Sequence, residues 1–435
     1  MRRTVVALTH CLALLTAACG KTTTEVPGAS GRAGSGPVGS DTPVGGDGGT
    51  EPATDAGVSA PSADCSHVDI PDPELARAVR DRLSLSANDE ITPERLLQLN
   101  YLNAGRIGET PIVSIEGLQC AKNLTSLTVT YGVVSDLSPL ERLDRLRDLN
   151  LAHNRIEDLS PLRGLPLERL FVDDNPLDDL APLANSKSLK AFGAGLSNVS
   201  SLAALSGMPL LEQVWAEQAQ LTQLSDFAPP PALEELWVGG NRIADLAPLR
   251  AFPNLIRVDV SENELQSLEP LAALPLLEYL NASNNPLITL HGLETSLVLK
   301  GLDASHCKLS DISALSSIHA LIDLTLNDNQ ISNISPLLEQ PSLDRLTLAD
   351  NPLGDATSLA TLVSLNQLDL SGTQISELPN WQAVCQWGCR VIIAERTSLS
   401  QRTLDVEIPE LCDQWRVNVF TTEQRCAVCD TSLPH

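Results

Sequence analysis

The chain has 435 residues, with 55 Asp and Glu against 29 Lys and Arg and a formal net charge of −26, a field that repels a phosphate backbone and so excludes nucleic acid as a partner. Apolar residues make up 43% but aromatic residues only 3%, so a core must be built from Leu, Ile, Val and Ala. Over this length such a bias points to repetition rather than to two or three independent globular domains.

Arg2 and Arg3 precede an apolar stretch from Val5 to Leu15 and the small residues Thr16-Ala17-Ala18, the layout of a secretory signal over residues 1–18. The stretch is too short to cross a bilayer of about 30 Å, and no later segment offers the roughly 20 uninterrupted apolar residues of a spanning helix. Leu14-Leu15-Thr16-Ala17-Ala18-Cys19-Gly20 resembles a bacterial lipobox. The resemblance implies lipidation of Cys19 and, because Gly20 rather than Asp follows it, anchoring to the outer membrane; an ordinary cleaved signal with an incidental cysteine is the alternative. Residues 19–64 are dominated by Gly, Ser, Pro, Thr and Ala, too little apolar surface to offset the entropy of ordering. They read as a tether that holds a folded domain clear of the membrane.

Residues 65–123 read as a helical N-terminal cap followed by a degenerate first repeat. The cap is carried by Ile70-Pro71-Asp72-Pro73-Glu74-Leu75, by Val79 and Leu83, and by Ile91-Thr92-Pro93-Glu94. From Leu124 the pattern Leu-x-x-Leu-x-Leu-x-x-Asn-x-Leu recurs, with its first leucine at 124, 146, 167, 189, 211, 233, 255, 277, 299, 321, 343 and 365. These twelve units over 124–380 identify a leucine-rich repeat. The expected fold is an α/β solenoid with one parallel β-sheet on its concave face and short 3₁₀ or turn segments on its convex face. Within each unit the Leu-x-Leu alternation forms a short strand with leucines inward. Asn154, Asn175, Asn241, Asn263, Asn285, Asn329 and Asn351 form a ladder of buried amides that satisfies main-chain groups where the chain leaves the strand. Cys307 occupies the same position in its unit and reads as a small buried substitute for Asn.

The second half of several units carries Asp-Leu-Ser/Ala-Pro-Leu, as at Asp136–Leu140, Asp158–Leu162, Asp179–Leu183 and Asp245–Leu249, where proline suits the start of a helical turn. This variant, together with the cap motif, is similar to the internalin family of bacterial surface proteins over about residues 68–380. The resemblance implies the solenoid and its cap, and host-surface adhesion as a family role; it does not supply the ligand.

Residues 381–435 read as a cysteine-bearing C-terminal cap, with Cys385, Cys389, Cys412, Cys426 and Cys429. In an exported chain cysteines read first as disulfides: Cys65 with Cys120 is a candidate bridge of the N-terminal cap, and the tail pairing is open. Cys426-x-x-Cys429 with Cys385 and Cys389 also has zinc-ligand spacing, but without a second Cys-x-x-Cys the disulfide reading is preferred and no metal site is assigned. No phosphate loop, zinc-protease helix or nucleophile elbow is present, so no catalytic residue and no cofactor is assigned.

Function is therefore sought on the outward strand positions, which line the concave surface on which solenoids usually bind. The central outward row reads Thr128, Asn150, Phe171, Gly193, Trp215, Trp237, Asp259, Asn281, Asp303, Thr325, Thr347 and Asp369, and Tyr279 adds a fourth aromatic at the outward position before. Asp173, Asp174, Glu217, Glu235 and Glu262 surround them, interrupted by Arg169 and Arg257. Phe171, Trp215, Trp237, Tyr279, Asp173, Glu217, Glu235 and Asp259 are thus the candidate binding residues for a protein partner with basic side chains. A packing of these aromatic residues on each other and on Phe171 across the gap left by Gly193 that only stabilises the sheet, a carbohydrate-binding surface and a structural envelope spacer are the alternatives.

Overall fold

The computed structural model describes residues 65–105, 110–379, 390–413, 417–421 and 425–426. Helix α1 (Pro73–Leu83) opens the fold, with Asp72 as its N-cap and Pro73 in its first turn. The Asp72 carboxylate accepts from the main-chain N–H of Glu74 and Leu75 and, through its other oxygen, from those of Val113 and Ser114. One side chain thereby starts the helix and ties it to the first irregular turn. Leu75, Ala76, Ala78 and Val79 form the buried face, which covers the apolar end of the stack. A short second helix, α2 (Pro93–Leu96), follows, and a Cys65–Cys120 disulfide staples the cap to the first repeat.

One sheet runs through the whole described molecule in chain order. Its strands are β1 (Tyr101–Asn103), β2 (Ser126–Thr128), β3 (Asp148–Asn150), β4 (Arg169–Phe171), β5 (Ala191–Gly193), β6 (Gln213–Trp215), β7 (Glu235–Trp237), β8 (Arg257–Asp259), β9 (Tyr279–Asn281), β10 (Gly301–Asp303), β11 (Asp323–Thr325), β12 (Arg345–Thr347), β13 (Gln367–Asp369), β14 (Arg390–Ala394), β15 (Val417–Thr421) and β16 (Arg425–Cys426). All neighbours are parallel until β15 meets β16 antiparallel. The register pairs Thr128 with Asn150, Phe171 with Gly193, and Trp215 with Trp237 and then Asp259, which is the outward row expected from the 22-residue step.

Between strands the core is a stack of leucines such as Leu149, Leu151, Leu236 and Leu346, all at most 1% exposed. Phe227 and Phe252 thicken it on the convex side, with ring centroids 5.4 Å apart. Short 3₁₀ segments occupy the Pro-Leu motifs, as at Ser138–Leu140, Ser160–Leu162 and Ala181–Leu183. The aspartate that precedes each explains the motif: Asp136, Asp158 and Asp179 each accept the main-chain N–H two residues on, at 2.8, 2.7 and 2.8 Å, an Asx turn that sets the proline's approach.

Each ladder asparagine does the same work. In Asn175 the amide donates to the carbonyls of Leu151, Val172 and Asp173 and its oxygen accepts from Ile156 N–H. The residue before it, Asp174, is left-handed (φ 51°), as are His153, Glu262, Asn284, His306, Asp328 and Asp350 at the matching positions. That turn aims the next side chain into the stack. Ser197 and Ala219 replace asparagine in adjacent units, and the serine covers for the alanine: its hydroxyl donates to Ala194 O and accepts from Val199 N–H.

Cys307 donates to Ala282 O and Ser305 O at 3.6 and 3.4 Å, two of the carbonyls an asparagine would reach, and burial pushes its thiol up. It has no oxygen for Leu287 N–H, which turns to Asn285 O instead. Cys307→Asn is therefore expected to add about 1 kcal/mol, read as a higher melting temperature in calorimetry; an unchanged or lowered value would show that the site has relaxed around sulfur.

The tail differs from expectation. The leucine pattern stops near Leu378, yet the sheet does not: β14 and β15 continue the parallel ladder before β16 turns back. Ile392, Ala394 and Val419 take the places of leucines, while Leu404, Ile408 and Leu411 cover the end of the core. Cys385, Cys389 and Cys429 lie outside the described residues, as do the side chains of Cys412 and Cys426. Cys19, the signal and the tether lie outside them too.

Candidate functional site

The predicted aromatic residues occupy the concave sheet, but not as four equal neighbours. Phe171 on β4 leans over the next strand, where a Cβ on Gly193 would sit only 2.8 Å from its ring. It thereby reaches Trp215 at a centroid distance of 5.8 Å and an interplanar angle of 49°, a tilted pair worth roughly 0.5–1.5 kcal/mol. This is one contact of the packing across Gly193 named above as an alternative, and it coexists with exposed ring surface: Phe171, Trp215 and Trp237 are all half-buried. Trp237 is the register partner of Trp215. Its indole N–H is buried without an acceptor, a state that costs about 1–3 kcal/mol.

Tyr279 belongs to a separate group. Its ring covers Gly301, where a Cβ would lie 2.8 Å from Cδ1. The Arg257 guanidinium sits 5.1 Å from the ring centroid, and the same guanidinium donates to Glu235 at 3.1 Å. Glu235, Arg257 and Tyr279 thus form a closed trio of carboxylate, guanidinium and aromatic ring. The basic group expected from a partner is here supplied by the chain itself.

Similar pairs tie neighbouring repeats along the sheet, Arg169 to Asp148, Lys300 to Glu278 and Arg345 to Asp323, each at 2.8 Å. Such exposed pairs contribute about 0–1 kcal/mol each, but they neutralise much of the acid the sequence places there.

Glu217 stands apart. It follows Trp215 on the exit from β6, and the corresponding positions in the neighbouring units are the buried glycines Gly195 and Gly239. A Cβ on Gly195 would lie 3.0 Å from Glu217 O, and one on Gly239 would lie 2.8 Å from Asp259 Oδ1. The absence of side chains at the two glycines lets the Glu217 main chain and the Asp259 and Ser261 side chains close in there. Burial, with the negative charges of Asp259 and Asp173 added, pushes Glu217 up to about 7. Asp173 accepts from Gly195 N–H at 2.8 Å. Asp259 accepts from Ser261 N–H and hydroxyl and from the Asn281 amide. Among the described residues no ion pair involves Glu217, and no group of three or more His, Cys, Asp or Glu is arranged to hold a metal ion.

The glycines were the least visible part of this arrangement in the sequence. The signal that finds them is an offset of one repeat: Phe171 precedes Gly193, and Tyr279 precedes Gly301, by the length of a unit. A ring that leans toward the next strand needs that space.

No protein-family model and no curated protein matches the chain. Among solved structures, an internalin (inlF) from Listeria monocytogenes is 29% identical with a TM-score of 0.67, over 72% of this chain and 92% of that one. A leucine-rich-repeat protein of Leptospira interrogans is 16% identical with a TM-score of 0.57, over 75% of this chain and 97% of that one. Sheet, ladder and structural likeness agree: the chain has the leucine-rich-repeat fold.

Proposed function

We propose that this protein is a non-catalytic binding protein of the internalin-like kind, held in the bacterial envelope through lipidated Cys19 and the tether, that captures a protein partner on its concave sheet. The observation that carries the reading is the pair of half-exposed tryptophans on adjacent strands. In a chain whose core is almost free of aromatic residues, Trp215 and Trp237 face outward from the sheet. Large rigid rings of this kind dominate interface energetics because they bury much area with few rotors. The Glu217 carboxyl, two residues after Trp215, adds a polar anchor point.

Trp215→Ala with Trp237→Ala is expected to reduce capture of a specific protein from native envelope and culture supernatant by at least tenfold, about 1.4 kcal/mol or more. Circular dichroism would verify the fold of the double variant. Capture unchanged by the double substitution would remove this surface from consideration, and retention on a glycan array lost in the same variant would favour a carbohydrate ligand instead.

A further inference from the structure

Four exposed apolar side chains gather on the edge where the chain enters the strands: Leu276, Leu297, Val298 and Ile322, which are 47%, 62%, 39% and 39% exposed. Main-chain hydrogen bonds carry the position just before each strand from one repeat to the next. Glu278 N–H donates to Ile256 O at 2.9 Å, Lys300 N–H to Glu278 O at 2.8 Å and Ile322 N–H to Lys300 O at 2.8 Å. Ile256, Glu278, Lys300 and Ile322 therefore stand in a line at steps of about 4.8 Å. Leu276 and Val298 form a second row beside it, each two residues before the charge it accompanies. An apolar patch of this kind, on a chain with a formal net charge of −26, marks a contact surface.

The patch is symmetric about the space between β9 and β10. Glu278 and Lys300, joined by an ion pair at 2.8 Å, lie half a step to either side of it, with Leu276 and Val298 beside them. Ile256 and Ile322 lie one and a half steps away. Charge is reversed across the midpoint while apolar character is kept. That is the condition an isologous contact must meet, because a two-fold axis sets each residue against the residue from the opposite side of the second copy.

We propose that this edge binds a second copy of the chain, with a two-fold axis passing between β9 and β10 across the stack. Glu278 of each copy then meets Lys300 of the other, and the two intrachain pairs merge into a square of alternating charge. Leu276 meets Val298 and Ile256 meets Ile322, so apolar surface leaves water at the centre. Outside them Glu234 meets Asp344, a like-charged contact at the rim, where water and salt screen it. From Glu234 to Asp344 the contact spans five strand steps, about 24 Å. It uses the edge and leaves the concave sheet of both copies open, so it goes beyond the partner capture described above and does not depend on it.

Sedimentation equilibrium of the full chain, carrying Cys19→Ser so that no lipid drives association, reads the contact. A concentration-dependent monomer–dimer equilibrium is expected below about 200 μM. In a pair of identical copies Glu278→Lys sets cation against cation and Lys300→Glu sets anion against anion, and each should weaken dimerisation by about tenfold or more. An equimolar mixture of the two variants should associate within about threefold of wild type, because each carries the charge the other lacks. The mixture separates the contact from any effect on folding, since both variants lack the same intrachain ion pair whether alone or mixed. Leu276→Asp, which puts a charge into the apolar centre, should weaken dimerisation as well. A monomer at every concentration, a dimer that survives either charge reversal, or a mixture that stays monomeric would overturn the second-copy contact.

Discussion

Asn263→Leu is expected to lower the stability of the solenoid by about 3–5 kcal/mol. The Asn263 amide donates to the carbonyls of Val238, Val260 and Ser261 at 3.0, 3.1 and 2.9 Å, and its oxygen accepts from Ile243 N–H at 2.9 Å. Leucine is of similar size but leaves Ile243 N–H buried without an acceptor and removes one of the two donors on each carbonyl, Val238 O keeping Asn241, Val260 O keeping Asn285 and Ser261 O keeping the Gly240 N–H. No neighbouring side chain accepts from Ile243 N–H as Ser197 accepts from Val199 N–H beside Ala219, because the Asn241 oxygen is taken by Leu221 N–H and the Asn285 oxygen by Leu265 N–H. Since each repeat touches only its neighbours, the loss falls at one interface and should divide the stack. Denaturant unfolding followed by hydrogen exchange is expected to show the repeats on either side of residue 263 opening in separate steps. A single cooperative transition at the wild-type midpoint would show that the ladder amide is dispensable there.

Glu217→Gln is expected to act in the opposite direction and only above acid pH. The folded chain holds this carboxyl up to about 7 against an ordinary 4.5, so folding disfavours its ionised form. Below about pH 4.5 the group is protonated in both folded and unfolded chains, and the substitution should be nearly neutral. Between there and about pH 7 the unfolded chain releases the proton while the folded chain keeps it, and wild-type stability falls relative to the variant. Above pH 7 the difference is constant, at up to about 3 kcal/mol in favour of the variant. Paired melts of wild type and variant across this range isolate the effect from the other carboxylates, several of which are held below their usual range by hydrogen bonds, Asp158 by Ser160 and Asp355 by Thr357 among them. Equal melting temperatures at every pH would show that Glu217 is solvated. A gain on removing a half-buried acid would mark Glu217 as a group that does not serve stability.

The regularity of this protein was legible because a repeat writes its own alignment. Leu124, Leu146 and their successors set the strand register, so Thr128, Asn150, Phe171 and the rest of the outward row could be placed before any coordinates. The ladder amides followed from the same spacing, and the prolines of the Asp-Leu-Ser-Pro motif marked the 3₁₀ segments. β14 and β15 were missed because their inward residues, Ile392 and Val419, follow steps longer than the repeat. Periodicity has no hold where the period changes.

By itself the sequence determined the architecture, the direction in which each strand residue points and the identity of the structural amides, because these depend on local spacing repeated many times. Tertiary structure alone decided which outward residues are already committed. Phe171 leans onto Trp215, Arg257 bridges Glu235 and Tyr279, and Glu217 is left among negative charges between two glycines. Each of these depends on the rotamer and the space available one repeat away, where contacts between neighbouring strands rather than spacing along the chain set the energy.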